Sequence, residues 1–170
     1  MNLYDLSIPQ LIRSLGQVHR WLDKAQAHAE QKKFDPQVLL SARLAPDQWH
    51  LGRQIQAITL APRRLSALLR GVEPPAFEES EATIANLRAG LDSALEQLKA
   101  LKPEQFQGAE DRVIPLPFLP GKGMKAFNWL TQFALPNFYF HATTAYAILR
   151  HNGVDVGKMD FLGDLDIRDL

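Results

Sequence analysis

The sequence predicts an all-α protein: a four-helix bundle with a short extended or hairpin segment between the third and fourth long helices. Three observations carry that expectation. Four stretches place apolar residues three and four positions apart, the period of one helix face. The breaks between them are short and marked by proline, glycine or aspartate. A single stretch, Asp111 to Lys125, interleaves apolar residues with Pro115, Pro117 and Pro120. That pattern excludes a central strand and suits an edge or hairpin.

The first helix is expected from Ile8 to Gln31. Ile8, Leu11, Ile12, Leu15, Val18, Leu22 and Ala25 form its apolar stripe, with Ser7 as N-cap and Pro9 in the first turn. Asp35 before Pro36 reads as a cap and first-turn proline opening a short helix through Leu40. After a break at Ala45-Pro46-Asp47, the second long helix runs from Trp49 to Leu69. Pro62 inside it removes a backbone donor and predicts a kink or break near Ile58 to Pro62. The third runs from Glu81 to Leu101, capped by Ser80, and buries Ile84, Leu87, Leu91, Leu95 and Leu98. Gly121-Lys122-Gly123 is expected to turn the proline-rich segment. The fourth long helix runs from Lys125 to Asn152, kinked near Pro136. Gly153 stands where positive φ is needed just past a helix end, and Arg150 and His151 oppose the helix dipole in the last turn.

Composition narrows the function classes. The chain of 170 residues, 46% apolar, suits one domain with one core. That domain is expected over residues 1–163, with a polar tail over 164–170; the aspartates from Asp160 onward give the end its polar character. Lys+Arg and Asp+Glu balance at 19 each, without the basic footprint of a nucleic-acid binder. No cysteine is present, which removes disulfides, thiolate metal sites and a cysteine nucleophile. With no basic leader before an apolar run and no window near the roughly 18 to 20 apolar residues that span a bilayer, a cytoplasmic protein off the membrane is expected.

Few residues carry chemistry. Asn137 and His141, four apart in PNFYFHATTAYAILRHNG, stack on one helix face. His50 and Gln54 form a second pair at the same spacing. Two such pairs meeting across a core could hold a divalent metal in an open site. Two imidazoles and two amides without a carboxylate make a poor zinc or iron site, so hydrogen-bonding core or groove residues are the favoured reading. His19 and His28 read as surface residues. Glu78, Glu79 and Glu81 sit at a loop-to-helix junction, where acidic residues suit the helix dipole. GVDVGK lacks the glycine spacing and hydroxyl of a phosphate loop, and no Gly-x-Ser-x-Gly elbow occurs. The run Phe138, Tyr139, Phe140 wraps most of a helix circumference at about 100° per residue. One of its faces must therefore meet a partner copy or a lid made by the proline-rich segment.

PNFYFHATTAYAILRHNG with the following GKMDFLG, together with ARLAPDQW and GRQIQ, resembles a bacterial domain-of-unknown-function family, number nineteen ninety-three. The resemblance covers Met1 to about Gly163. That family is similar to the DinB-like superfamily, so the resemblance implies a four-helix bundle of DinB-like type, commonly a homodimer. Many superfamily members hold zinc or nickel through three histidines, and some are metal-dependent thiol-transferring enzymes. The motif is one histidine in the second helix plus His-x-x-x-His in the fourth. The fourth-helix pair falls on Asn137 and His141, and a glutamine common three residues later falls on Thr144. By chain position the second-helix ligand would be His50; by its spacing from the helix-start tryptophan, Trp49, it falls near Gln56 or Ala57.

The leading expectation is a bundle without the intact metal triad and without a cofactor. It would bind a small polar ligand in an inter-helix groove around Gln54, Asn137, His141 and Thr144. The first alternative is a zinc- or nickel-dependent thiol transferase built on His50, Asn137 and His141. The second is a protein-interaction module using the aromatic face of the fourth helix. Nothing in the sequence names a substrate or reaction.

Overall fold

The protein is described here by a computed structural model covering residues 2–77 and 80–169. Glu78 and Glu79 lie outside the described residues. Helix α1 spans Leu3–Lys32. It begins five residues before the expected start because Asn2, not Ser7, caps it. The Asn2 side chain accepts from the Asp5 N–H, and the Asp5 carboxylate accepts from the Asn2 N–H, a reciprocal capping box. Ser7 is buried inside the helix and donates to the Leu3 carbonyl at 2.6 Å. Lys33 ends the helix in the left-handed region, at φ 60°.

The Asp35 carboxylate accepts from the Gln37 N–H at 2.9 Å, opening helix α2, Gln37–Ser41. Helix α3, Leu51–Arg70, stays continuous through Pro62, so the proline costs one donor without breaking the element. Helix α4, Ile84–Lys99, starts three residues later than expected. Thr83 is its cap, accepting from the Asn86 N–H at 3.1 Å, and Ser80 instead receives the Gln56 amide on its carbonyl.

Two 3₁₀ turns, Pro103–Phe106 and Ala109–Asp111, lead into a small antiparallel hairpin. Strand β1, Val113–Pro115, pairs with β2, Gly123–Lys125, in the register Ile114 opposite Met124. The connecting loop is Leu116–Lys122, so Gly123 belongs to the strand rather than to the turn. Buried Ile114 anchors the hairpin to the bundle.

The fourth long helix is one helical run in three parts: α5 Ala126–Trp129, a π-helical turn Leu130–Ala134, and α6 Leu135–His151. The π turn is the form taken by the expected kink. Pro136 has no N–H, and its ring would meet the carbonyl four residues back in a regular helix. The Leu135 N–H instead reaches five residues back, to Leu130, and widens the turn. Gly153 ends α6 at φ 83°. The Val154 N–H returns to Leu149 and the Gly153 N–H to Arg150, both at 3.1 Å, the paired bonds of a Schellman cap.

The core lies among α1, α3, α4 and the fourth helical run. Ile8, Leu15, Leu22, Ile55, Leu91 and Ile148 are sealed from solvent. Each such side chain contributes roughly 1.5–3 kcal/mol relative to exposure. The chain end is more structured than its polar composition suggests. Helix α7, Lys158–Leu162, docks on α1: Phe161 stacks on Trp21 at 5.7 Å, and the Trp21 indole donates to the Asp160 carbonyl at 2.9 Å. Lys24 pairs with the Asp160 carboxylate at 2.7 Å. That bond and the Gly157 N–H hold the Asp160 carboxyl below its usual range.

Candidate functional site

His141 and Gln54 meet across α6 and α3. Both are nearly closed to solvent, at 9% and 1% exposure, so their polar atoms must find partners. The Gln54 amide donates to the Trp49 carbonyl at 3.1 Å. This orients the amide and turns its oxygen to His141, whose Nδ1 lies 2.7 Å away. A carbonyl oxygen only accepts, so Nδ1 carries the proton. The neutral ring therefore has a bare lone pair on Nε2. Burial favours that neutral state and lowers the His141 pKa below 6.5. The imidazole lies flat on Trp49, with centroids 5.5 Å apart and planes 7° from parallel. Phe140 meets it edge-on.

His141 lines a cavity of about 330 Å³ between α3, the fourth helical run and the hairpin. The α3 wall presents Ala57, Leu60, Ala61 and Arg64, spaced as one helix face. Ala57 and Ala61 are small, and their size leaves the space. Pro115, Pro117 and Phe118 form the outer wall; Phe118 rests on Phe133 at 5.4 Å. The proline-rich segment thus covers Phe133 of the fourth helical run, whereas Phe140 of the run Phe138–Phe140 stays exposed.

The remaining wall is Trp129, Phe133, Asn137 and His141. Residues four apart drift about 40° per step on a straight α-helix, so three steps would carry the last about 120° from the first. The extra residue in the π turn recovers about 100° of that drift. Pro136 therefore does more than bend the helix: it aligns two aromatics before the turn with two polar side chains after it.

The expected site residues divide. Asn137 and His141 share the cavity, and Gln54 stands behind His141 as its orienting partner. Thr144 is buried on α6 and is not part of the cavity wall. His50 occupies a different role at the start of α3. It is the N-cap residue, its Nδ1 lies 2.9 Å from the Leu40 carbonyl, and its surroundings are a separate cleft with Arg43, Asp47 and Phe77. Of the two other positions expected for the second-helix ligand, Ala57 faces the cavity, whereas the Gln56 amide is turned to Ser80. The three motif positions at the cavity are thus an alanine, an amide and one imidazole. That donor set does not fit a three-histidine zinc or nickel site. Among the described residues no group of three His, Cys, Asp or Glu side chains is placed to hold a metal ion.

Spacing could have found Asn137 and His141. Spacing from Trp49 also pointed near Ala57, but it could not find Ala61 or Arg64, whose contribution is space and a single charge. Among the described residues no helix is long and apolar enough to cross a membrane.

Comparison with known proteins agrees with this architecture. No curated protein matches the chain. A crystal structure of a DinB family member protein from Shewanella denitrificans is similar at TM-score 0.94 and 40% identity, over 99% of this chain and 96% of that one. The family model described as Domain of unknown function (DUF1993) matches residues 3–162. With nearly its whole length inside that model and a DinB family member as structural neighbour, the chain belongs to the DUF1993 family and carries an all-α, DinB-like fold.

Proposed function

We propose that this protein is a small-ligand-binding member of its family, cytoplasmic and homodimeric, whose site is the cavity beside His141. The observation that carries the reading is the Gln54–His141 hydrogen bond. It commits a buried imidazole to one tautomer and leaves Nε2 as an acceptor in a mostly apolar cavity. Pockets of this size, with apolar walls and a few placed polar groups, suit small molecules. The ligand has an apolar body and a hydrogen-bond donor that meets Nε2, with Asn137 as a second polar contact. Because the cavity's donor set does not fit a divalent metal, the proposal includes no metal-dependent step. Phe127 and Phe140 stand out on the fourth helical run with about half their surface in solvent, which supports self-association.

The test is titration with the neutral dye Nile red, read by dye emission and by quenching of Trp49 and Trp129. One saturable site is expected, lost in Ala57→Phe while the melting transition is retained. Equal binding by wild type and Ala57→Phe would place the dye elsewhere and remove the cavity from the account.

A further inference from the structure

The cavity is asymmetric in charge. Near one end His141 offers a neutral acceptor. Another part of the wall is Arg64, a half-buried guanidinium on α3 with no ion-pair partner among the described residues. Ten residues of α3 separate Gln54, which holds His141, from Arg64, roughly 15 Å of helix rise. The wall between them is Ala57, Leu60 and Ala61 on one side and Phe118 and Phe133 on the other. Arg64 also borders a neighbouring cleft with Arg112 and Glu73. Among the described residues of that cleft, two guanidinium groups stand against one carboxylate. Among the described residues no carboxylate lines the His141 cavity.

We propose that the ligand is an elongated organic acid: a carboxylate held by Arg64, an apolar or aromatic body along the alanine face, and a hydroxyl or N–H donating to His141 Nε2. This deepens the cavity reading above and rests on it. A carboxylate entering an apolar cavity loses hydration that only a paired cation can offset. Arg64 supplies a planar, two-pronged donor that matches it. The aromatic walls favour a flat body.

Matched pairs test the proposal. The probes are 4-hydroxybenzoate, 4-hydroxyphenylacetate and 3-(4-hydroxyphenyl)propanoate, each beside its primary amide, measured by calorimetry on the full chain. The acid of at least one pair is expected to bind about ten-fold or more tighter than its amide, the scale of one charge-assisted pair. Arg64→Gln should abolish the preference while leaving amide affinity within about two-fold. His141→Ala should weaken acid and amide of that pair alike. Circular dichroism and melting establish that both variants fold. If acids and amides bind equally, or the preference survives Arg64→Gln, the acid assignment fails and the cavity remains a neutral-ligand site. If none of the probes binds although Nile red does, the assignment fails in the same way. If Nile red also fails, the cavity reading falls and takes this inference with it.

Discussion

His141 is oriented by a chain of two hydrogen bonds, Trp49 carbonyl to Gln54 amide and Gln54 oxygen to imidazole. The protonation of His141 should follow the chemistry of position 54. Gln54→Glu places a carboxylate against Nδ1 and should raise the His141 pKa above that of the wild type; NMR titration of the ring protons reads it directly. The pH dependence of stability follows from the lowered wild-type pKa. Below about pH 6.5 the unfolded chain binds a proton that the buried ring resists. The contribution of His141 is therefore complete above 6.5 and lost as pH falls toward its folded-state pKa. Urea unfolding between pH 7.5 and 5.5 should show a shallower decline for His141→Gln than for wild type. At this scale the sequence was partly legible. Asn137 and His141 announced themselves by spacing, as did Gln54 through its pairing with His50. Gln54 proved to be the orienting partner of His141, a role that depends on where α3 meets α6 and has no local signature. Arg64 and Ala61 were silent because a charge on a helix face and a small side chain are ordinary in themselves, and Ala57 was marked only as a motif position, not as a source of space.

At the level of elements, termini and irregular turns departed from expectation more than helices did. Ser7 and Ser80 have the right chemistry for caps, yet Asn2 and Thr83 cap α1 and α4, because several adjacent residues offered the same oxygen. Thr83→Ala should cost about 1 kcal/mol, read as a lower urea midpoint with unchanged slope. Lys33 pays the steric cost of a left-handed residue with a side chain attached. Lys33→Gly should stabilise the protein by about 0.5–1 kcal/mol in the same assay. Pro136 was legible as a disturbance, but only the structure shows it taken up as a π turn that aligns Trp129, Phe133, Asn137 and His141. Helix α7 was hidden by Asp160 and the aspartates that follow it. Trp21, Tyr146 and Phe161 form its aromatic seat, with Trp21–Phe161 and Tyr146–Phe161 centroids each 5.7 Å apart. Phe161→Ala should undock α7 and cost about 1–3 kcal/mol, with faster amide exchange over residues 158–162.

For the whole molecule, the bundle places its apolar faces inward and leaves the His141 cavity where α3 carries alanines and the hairpin stands off the fourth helical run. The number and order of long helices followed from periodicity, because a stripe of leucines repeats every turn whatever its partners are. The cavity did not, because it is what three separate elements leave unfilled. The aromatics outside it bear on assembly. If Phe127 and Phe140 lie in a dimer contact, Phe127→Glu with Phe140→Glu should shift the molecular mass from dimer to monomer in light scattering. The central claim, that His141 is a neutral acceptor facing a ligand cavity rather than a metal ligand, is tested most directly by long-range ¹H–¹⁵N NMR of its imidazole, with and without one equivalent of zinc. Nδ1 is expected to be protonated and Nε2 bare at pH 7, unchanged by zinc. A proton on Nε2 instead, or a stoichiometric zinc-induced shift of that nitrogen, would contradict it.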